Sequence, residues 1–490
     1  MRLYNTLTRS VEALETRVPG KVGLYVCGMT VYDYCHIGHA RAMMAFDVIR
    51  RHLEHRGYDV VFVRNHTDVD DKIINRAAER GEHPLALSAR FIAALEEDLS
   101  ALGIRPPDVT PQVSKHIDEV VAMIASLVRK GHAYAADNGD VYFSVESFSE
   151  YGKLSGKKLE DLRAGERVAI DESKNHPADF ALWKAAGPDE LGWESPFGKG
   201  RPGWHIECSA MAGAILGEQF DIHGGGIDLV FPHHENEIAQ SECASGHAPM
   251  ARYWLHNGHL TLAHEKMSKS LGNIVRIRDI LAEMPSEALR LLYVRTHYRS
   301  PLPYASDQLV AALTDLDRIY VAKETVQEVV AKGSGAPVET LGPDAIEAHR
   351  LASAFTARFN EAMDEDFNSA DAIGAMFELV RAINRFGNDK KARTKGALAL
   401  APAVDAFALV ARVLGIAAME PAAFYDEVKV KRLTASGRSV AEVEAKVRAR
   451  GDARTAKDWA LADAIRIELD AQGIVIMDSP EGSTWRMRVA

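Results

Sequence analysis

Three groups of residues in this chain have types and spacings that could do chemistry. His36-Ile37-Gly38-His39 sets two imidazoles at the entry to a helix-like stretch, where histidines can donate to phosphate with help from the helix dipole. Far downstream, Lys266-Met267-Ser268-Lys269-Ser270 puts two ammonium groups in a polar loop, a cationic partner for phosphate oxygens. The third group is scattered: the thiols of Cys27 and Cys208, and the run Phe231-Pro232-His233-His234-Glu235-Asn236-Glu237, which together offer the donor types that bind zinc. Pro232 suits the first position of a helix, and residues four apart share a helical face, so His233 and Glu237 could reach one metal. His234 with Glu237, three apart, is nearly as good, and spacing leaves the two histidines open. No Cys-x-x-Cys occurs. Cys243 lies ten residues after His233, about 80° round a helix from it, and reads as a buried small apolar side chain. Cys35 reads the same way.

These residues need elements to hold them. Residues 22–29 are apolar and predict a buried strand, followed by a polar turn, a helix over 38–55 and a second strand over Asp59–Arg64. Strand, turn, helix, strand is the opening of a doubly wound α/β domain with a parallel sheet, whose ligands bind at the carboxyl ends of the strands. Further strand signals fall at Val141–Phe143 and at residues 220–222, and helical periodicity runs over 117–130. Residues 145–200 are irregular, rich in Gly, Pro and mixed charge, and the stretch 115–200 is expected as an insertion into the sheet domain. From 306 to 418 the sequence turns alanine-rich and helix-periodic, as over 370–386, broken by Gly333-Ser334-Gly335-Ala336-Pro337. After Glu420-Pro421 a basic segment leads into a helix over 458–471 and a strand over 473–476. The expected domains are therefore 1–305, 306–424 and 425–490.

At 490 residues the chain exceeds one ordinary core, and 47% hydrophobic with 26% charged residues is a folded, soluble composition. The N-terminal residues lack a basic stretch leading into an apolar core, and no apolar run is expected to span a bilayer. Four cysteines in so long a chain fit a reducing cytoplasm. A net charge of -11 argues against indiscriminate nucleic-acid binding. Between Lys429 and Lys457, however, nine Lys and Arg face three acids.

In order and context, the two phosphate-directed strings resemble the paired ATP-binding motifs of class I aminoacyl-tRNA synthetases. Other strings are similar to those of cysteinyl-tRNA synthetases: Tyr25-Val26-Cys27-Gly28, Asn65-His66-Thr67-Asp68, Gly203-Trp204-His205-Ile206-Glu207-Cys208-Ser209, His223-Gly224-Gly225-Gly226, the histidine run above and Asp364-Glu365-Asp366-Phe367-Asn368. The resemblance covers nearly the full length. It implies a Rossmann-like catalytic domain with an insertion, a helical stem domain and a small anticodon-binding domain. It also implies a reaction in which the carboxylate of cysteine attacks the α-phosphate of ATP. His36, Gly38, His39, Lys266, Ser268 and Lys269 would then bind ATP and its Mg2+, with Gly38 letting adenine approach the backbone and the lysines meeting the departing pyrophosphate. By the same resemblance Cys27, Cys208, His233 and Glu237 bind one Zn2+, which settles the histidine choice, and Gly28, Thr67, Trp204, His223 and Asp228 contact the amino acid. Ile227 departs from the family pattern, which has a small polar residue after the triple glycine.

Zinc would separate cysteine from serine where an apolar pocket cannot, because thiolate binds it far better than a hydroxyl. The partners implied are ATP, L-cysteine and tRNA(Cys), for a monomer with no membrane association. The tail strings Lys457-Asp458-Trp459-Ala460 and Gly482-Ser483-Thr484-Trp485-Arg486 resemble the family's anticodon-reading region and put aromatic rings, expected to be exposed, beside positive charge. Two rival readings are a zinc-dependent cysteine ligase of the mycothiol pathway, which shares the core and lacks such a tail, and a catalytically inactive synthetase-like RNA-binding protein.

Overall fold

The computed structural model describes residues 1–159, 173–262, 265–266, 275–479 and 482–488, with only the backbone described at 265, 266 and 479. Its contacts divide into two compact units, one built from residues 1–100, 104–260 and 298–301 and the other from 101–103, 261–297 and 302–490.

Seven elements of the first unit carry the site: β1 (Lys21–Val26), α1 (Ile37–His55), β2 (Asp59–Arg64), α2 (Trp204–Leu216), β3 (Phe220–Gly226), α3 (Glu235–Ser245) and β4 (Ala251–Asn257). The strands form one parallel sheet in the order β4-β3-β1-β2. The chain leaves β1 through α1 to reach β2 on one side, and later returns as β3 on the other. The crevice where strand order reverses therefore opens between the carboxyl ends of β1 and β3. Val22, Leu24, Tyr25, Val60, Phe62, Val63, Ile222 and Leu255 bury the sheet on both faces, the pattern of a covered parallel sheet. β3 continues through the triple glycine, four residues beyond its predicted end.

Gly224 and Gly225 are required there by packing: a Cβ on the first would meet Phe46 Cε1 at 2.2 Å, and one on the second would meet the His234 ring at 2.8 Å.

The stretch expected to be irregular, 145–200, contains one strand and runs into a second at its end. Phe180–Ala185 and Gly200–Pro202 join Ala133–Ala135 and Val141–Phe143 in a four-stranded antiparallel sheet packed on helix Ile117–Arg129. The buried alternation of Phe180, Leu182 and Trp183 was masked by the Gly- and Pro-rich sequence around it. An ion triad ties this sheet to the helix after β2, with Asp71 accepting from Lys184 at 2.5 Å and Arg201 at 3.0 Å.

In the second unit, helices Ser306–Ala331, Pro343–Asp364, Ser369–Phe386 and Ala397–Leu414 pack together. Ala397–Leu414 has the length and the mean hydropathy, 1.9, of a membrane span, contrary to the expectation that no such run exists. It is a core helix of this bundle, over half buried, with Leu400, Ala403, Phe407, Val410 and Leu414 turned inward. The buried Glu287 accepts hydrogen bonds from Tyr320 and from the backbone of Ala417 and Ala418, fastening the end of this helix. Helices Pro421–Ala435, Val440–Thr455 and Trp459–Ala471 follow, then the hairpin Ile474–Ser479 with Gly482–Met487.

Candidate active site

At the crevice between β1 and β3, four side chains from four stretches of sequence converge. Cys27 follows β1, Cys208 sits one turn into α2, His233 ends the turn before α3, and Glu237 lies in the first turn of α3. Cys27 Sγ lies 3.5 Å from Cys208 Sγ, 3.5 Å from His233 Nε2 and 3.3 Å from Glu237 Oε1, and the last two atoms are 2.9 Å apart. All four residues are buried, and their ligating atoms lie within 4.8 Å of one another. Tetrahedral zinc with bonds of about 2.0–2.3 Å needs donors about 3.3–3.8 Å apart, so the quartet fits such an ion with small adjustments.

The helix geometry differs in detail from the expectation. Pro232 is not the first residue of α3, which begins three residues later. Val230–His234 instead forms a wider π-type turn, with Phe231 in extended backbone. The i to i+4 relation between His233 and Glu237 survives, and His234 Nε2 comes within 4.0 Å of the same Glu237 oxygen.

Burying these groups together polarises them. Burial opposes charge on His233, but the Glu237 carboxylate and Cys208 together outweigh it and raise the imidazole to about 10. A hydrogen bond from Cys27 holds the Cys208 thiol down to about 6, while burial pushes Cys27 well above the usual thiol range. Glu237 stays well below the usual carboxylate range despite its burial, because His223 and His233 flank it. Cys208 and Glu237 are thus the negative groups of the cluster, beside a neutral Cys27 thiol and a charged His233.

Supporting contacts fix these donors. His223 Nε2 lies 2.8 Å from Glu237 Oε2, and its ring stacks on Trp254 at 4.5 Å. His205 Nδ1 lies 3.1 Å from His233 Nδ1, so the His233 Nε2 lone pair can face the cluster while Nδ1–H donates to His205. The Trp204 ring stacks on His233 at 4.4 Å and stays 41% exposed, an outer wall to the site. Gly28 donates its N–H to Asn65 Oδ1 at 2.8 Å, and a Cβ there would sit 1.7 Å from the Asn65 carbonyl oxygen. Asn65 Nδ2 also donates to Thr67 Oγ1 at 3.3 Å. Asp228 is exposed at the end of β3, beside Gly226. Asn65 and His205 stand inside the motif strings, but only their burial and contacts reveal that they orient other residues.

The phosphate-directed histidines occupy the start of α1. His36 is its N-cap and accepts from the N–H of Gly38 at 3.1 Å and of His39 at 3.3 Å through Nδ1, which puts its proton on Nε2. The two rings stack with centroids 3.6 Å apart. Lys266 belongs to the two-residue strand Glu265–Lys266, paired with Thr261 and Leu262 in the second unit, whereas Ser268 and Lys269 lie outside the described residues. Cys243 is buried in the core beside the antiparallel sheet, its thiol pushed up to about 12 by burial, and Cys35 is buried as well. In the tail, Trp459 is 59% exposed as expected; Trp485 is not, being buried under the Lys429 ammonium 4.2 Å from its ring centroid.

The sheet order and helical unit are those of class I aminoacyl-tRNA synthetases. Methionyl-tRNA synthetase from Mycobacterium tuberculosis, solved with methionyl-adenylate, matches with a TM-score of 0.62 at 16% identity, over 81% of this chain and 92% of its own. The LeuRS of Agrobacterium radiobacter, in a ternary complex with tRNA, matches at 0.59 and 11% identity over 84% and 86%. Three family profiles narrow the class. That of the tRNA synthetases class I (C) catalytic domain covers residues 13–314, the DALR domain 358–418, and the cysteinyl-tRNA ligase anticodon binding domain 439–486. Curated cysteine–tRNA ligases from Alkalilimnicola ehrlichii and Geobacter sulfurreducens are 51% and 50% identical, over 99% and 100% of both chains. The chain belongs to the cysteine–tRNA ligase family.

Proposed function

We infer that this chain is an aminoacyl-tRNA ligase that activates cysteine with ATP and transfers it to the 3′-terminal adenosine of tRNA(Cys). One observation supports the amino-acid choice above the others: the buried quartet Cys27, Cys208, His233 and Glu237 at the strand ends. Two thiolates, an imidazole and a carboxylate suit Zn2+, and a zinc ion bound there would supply a Lewis acid that takes thiolate sulfur in preference to a hydroxyl. His223 steadies the Glu237 carboxylate and His205 orients His233, so the chain keeps these donors aimed before substrate arrives.

The amino acid binds against Gly28, Thr67, Trp204, His223 and Asp228. Trp204 supports this role as a rigid wall over His233, and the exposed Asp228 carboxylate as a partner for the substrate ammonium. ATP binds along His36, Gly38, His39, Lys266, Ser268 and Lys269, accompanied by Mg2+. The Nε2–H that the cap assigns to His36 is the donor for phosphate oxygens as charge builds on the α-phosphate.

Residues 1–305 form the catalytic domain with its insertion at 115–200, 306–424 a stem that binds tRNA, and 425–490 the part that reads the anticodon. The anticodon-domain profile over 439–486 supports that last role, and such a domain is what the mycothiol-pathway reading lacks. Four free thiols support a reducing cytoplasm, with the chain acting as a monomer off the membrane.

The test is pyrophosphate exchange with cysteine and with serine, followed by charging of tRNA(Cys). Exchange with cysteine alone and stable cysteinyl-tRNA are expected. No cysteine-dependent exchange would overturn the enzymatic reading, and exchange without charging would overturn the RNA assignment.

A further inference from the structure

Cys27 and Glu237 belong to two overlapping quartets. Besides Cys208 and His233, they also converge with His223 and His234, again with ligating atoms within 4.8 Å of one another and all four residues buried. His223 Nε2 is 2.8 Å from Glu237 Oε2 and donates to it in the metal-free chain, so as a ligand it would pass its proton to Nδ1, which has no hydrogen-bond partner among the described residues; His234 Nε2 is 4.0 Å from Glu237 Oε1.

The arrangement of His234 is the informative one. The residue is wholly buried, and its Nε2 has no hydrogen-bond partner among the described residues. Its Nδ1 is 2.8 Å from His256 Nε2, and His256 Nδ1 is 2.8 Å from Thr6 Oγ1. A proton on His234 Nε2 would be a buried donor with nothing to receive it, which is unfavourable. Running the relay the other way avoids this cost: His234 Nδ1–H donates to His256, whose Nδ1–H donates to the Thr6 hydroxyl. That tautomer leaves a lone pair at Nε2, and an imidazole whose far N–H is held in this way has the form taken by metal-ligating histidines. The missing side chain at Gly225 gives the ring its room.

We propose that the site has a second position for a divalent cation, on Cys27, His223, His234 and Glu237, which the ion takes when the first set of donors is broken. The two positions exclude each other because both need Cys27 Sγ and the Glu237 carboxylate. The first offers two sulfurs, one nitrogen and one oxygen; the second offers one sulfur, two nitrogens and one oxygen, a harder set. Losing one thiolate would therefore shift the ion by one pair of ligands and leave a chain that keeps its metal but no longer selects cysteine. This inference rests on the reading of the first quartet as a zinc site.

The decisive sample is full-length Cys208→Ser loaded with zinc, compared with the unaltered chain by metal analysis and X-ray absorption. The unaltered chain should show one imidazole on zinc; Cys208→Ser should retain the metal and show two. Adding His234→Gln to Cys208→Ser should weaken zinc binding at least about tenfold, whereas His234→Gln alone should leave the one-imidazole spectrum in place. A metal-free Cys208→Ser, one that keeps a single imidazole, or zinc affinity indifferent to His234 in that background would overturn the second position and leave the first intact. An unaltered chain that binds no zinc would instead overturn the reading of the first quartet.

Discussion

The residues that converge on Cys27 and those that frame Trp459 put similar side-chain types to opposite uses. Around Cys27 the thiols, imidazoles and carboxylate are buried and hold one another, with only the Trp204 wall open. Around Trp459 apolar side chains are exposed instead: Trp459 at 59%, Leu461 at 49% and Ile467 at 69%. There the frame is an ion pair, Arg450 to Asp478 at 2.8 and 2.9 Å, together with Trp485 folded under Lys429. Telling sulfur from oxygen demands dry donors at fixed separations, whereas a ring that is to stack on an unpaired base has to keep a face in solvent.

Mutations on the two sides should separate the two chemical steps. Cys208→Ala should lower cysteine-dependent pyrophosphate exchange on the order of a thousandfold, the scale of losing a group that acts at the reacting centre; a variant within tenfold of normal would detach the cluster from amino-acid selection. His205→Ala should weaken metal binding about 10- to 100-fold in competition with a chelator, by freeing the His233 ring, and an unchanged affinity would make that contact incidental. On the exposed side, Trp459→Ala should leave exchange alone and reduce charging by about 1–3 kcal/mol in kcat/KM, the worth of one stacked base. Equal loss in both assays would erase the contrast.

The smallest effect concerns pH. The Arg450 hydrogen bond, helped by Ser483 and Arg454, holds the Asp478 carboxyl well below the usual range. A depressed carboxylate contributes stability that is fully present above its ordinary pKa of about 4 and is lost as pH falls through the folded value. Arg450 is buried but Asp478 is more than a third exposed, so solvent screening holds the contribution to about 1 kcal/mol. Trp485 fluorescence should report loosening of the hairpin in acid, and Asp478→Asn should remove that dependence. A Trp485 signal with the same acid dependence in the variant would assign it to another group.

The sheet could be read from the sequence because its signals are local. Strand Asp59–Arg64 and helix Ile37–His55 fall within a residue of their predicted places, since apolar runs and helical periodicity span the elements themselves. The metal cluster could be read only in part. Spacing could not choose between His233 and His234, and the geometry explains why: both reach the same oxygen of Glu237, at 2.9 and 4.0 Å. That Cys208 meets Cys27 across 181 residues has no local signature. The two tail tryptophans look alike in sequence, each within two residues of a basic one, and packing under Lys429 separates buried Trp485 from exposed Trp459. The apolar helix Ala397–Leu414 was equally ambiguous, because a helix packed on several neighbours and a helix bathed in lipid call for the same side chains.

The spread of the cluster along the chain also sets an order of events during synthesis. Its donors come from residues 27, 208, 233 and 237, and the sheet that aligns them is closed by a strand ending at residue 257. A chain still on the ribosome at residue 200 holds one thiol of the set and no second donor. A cation held by all four donors would therefore have to load after the catalytic sheet is complete.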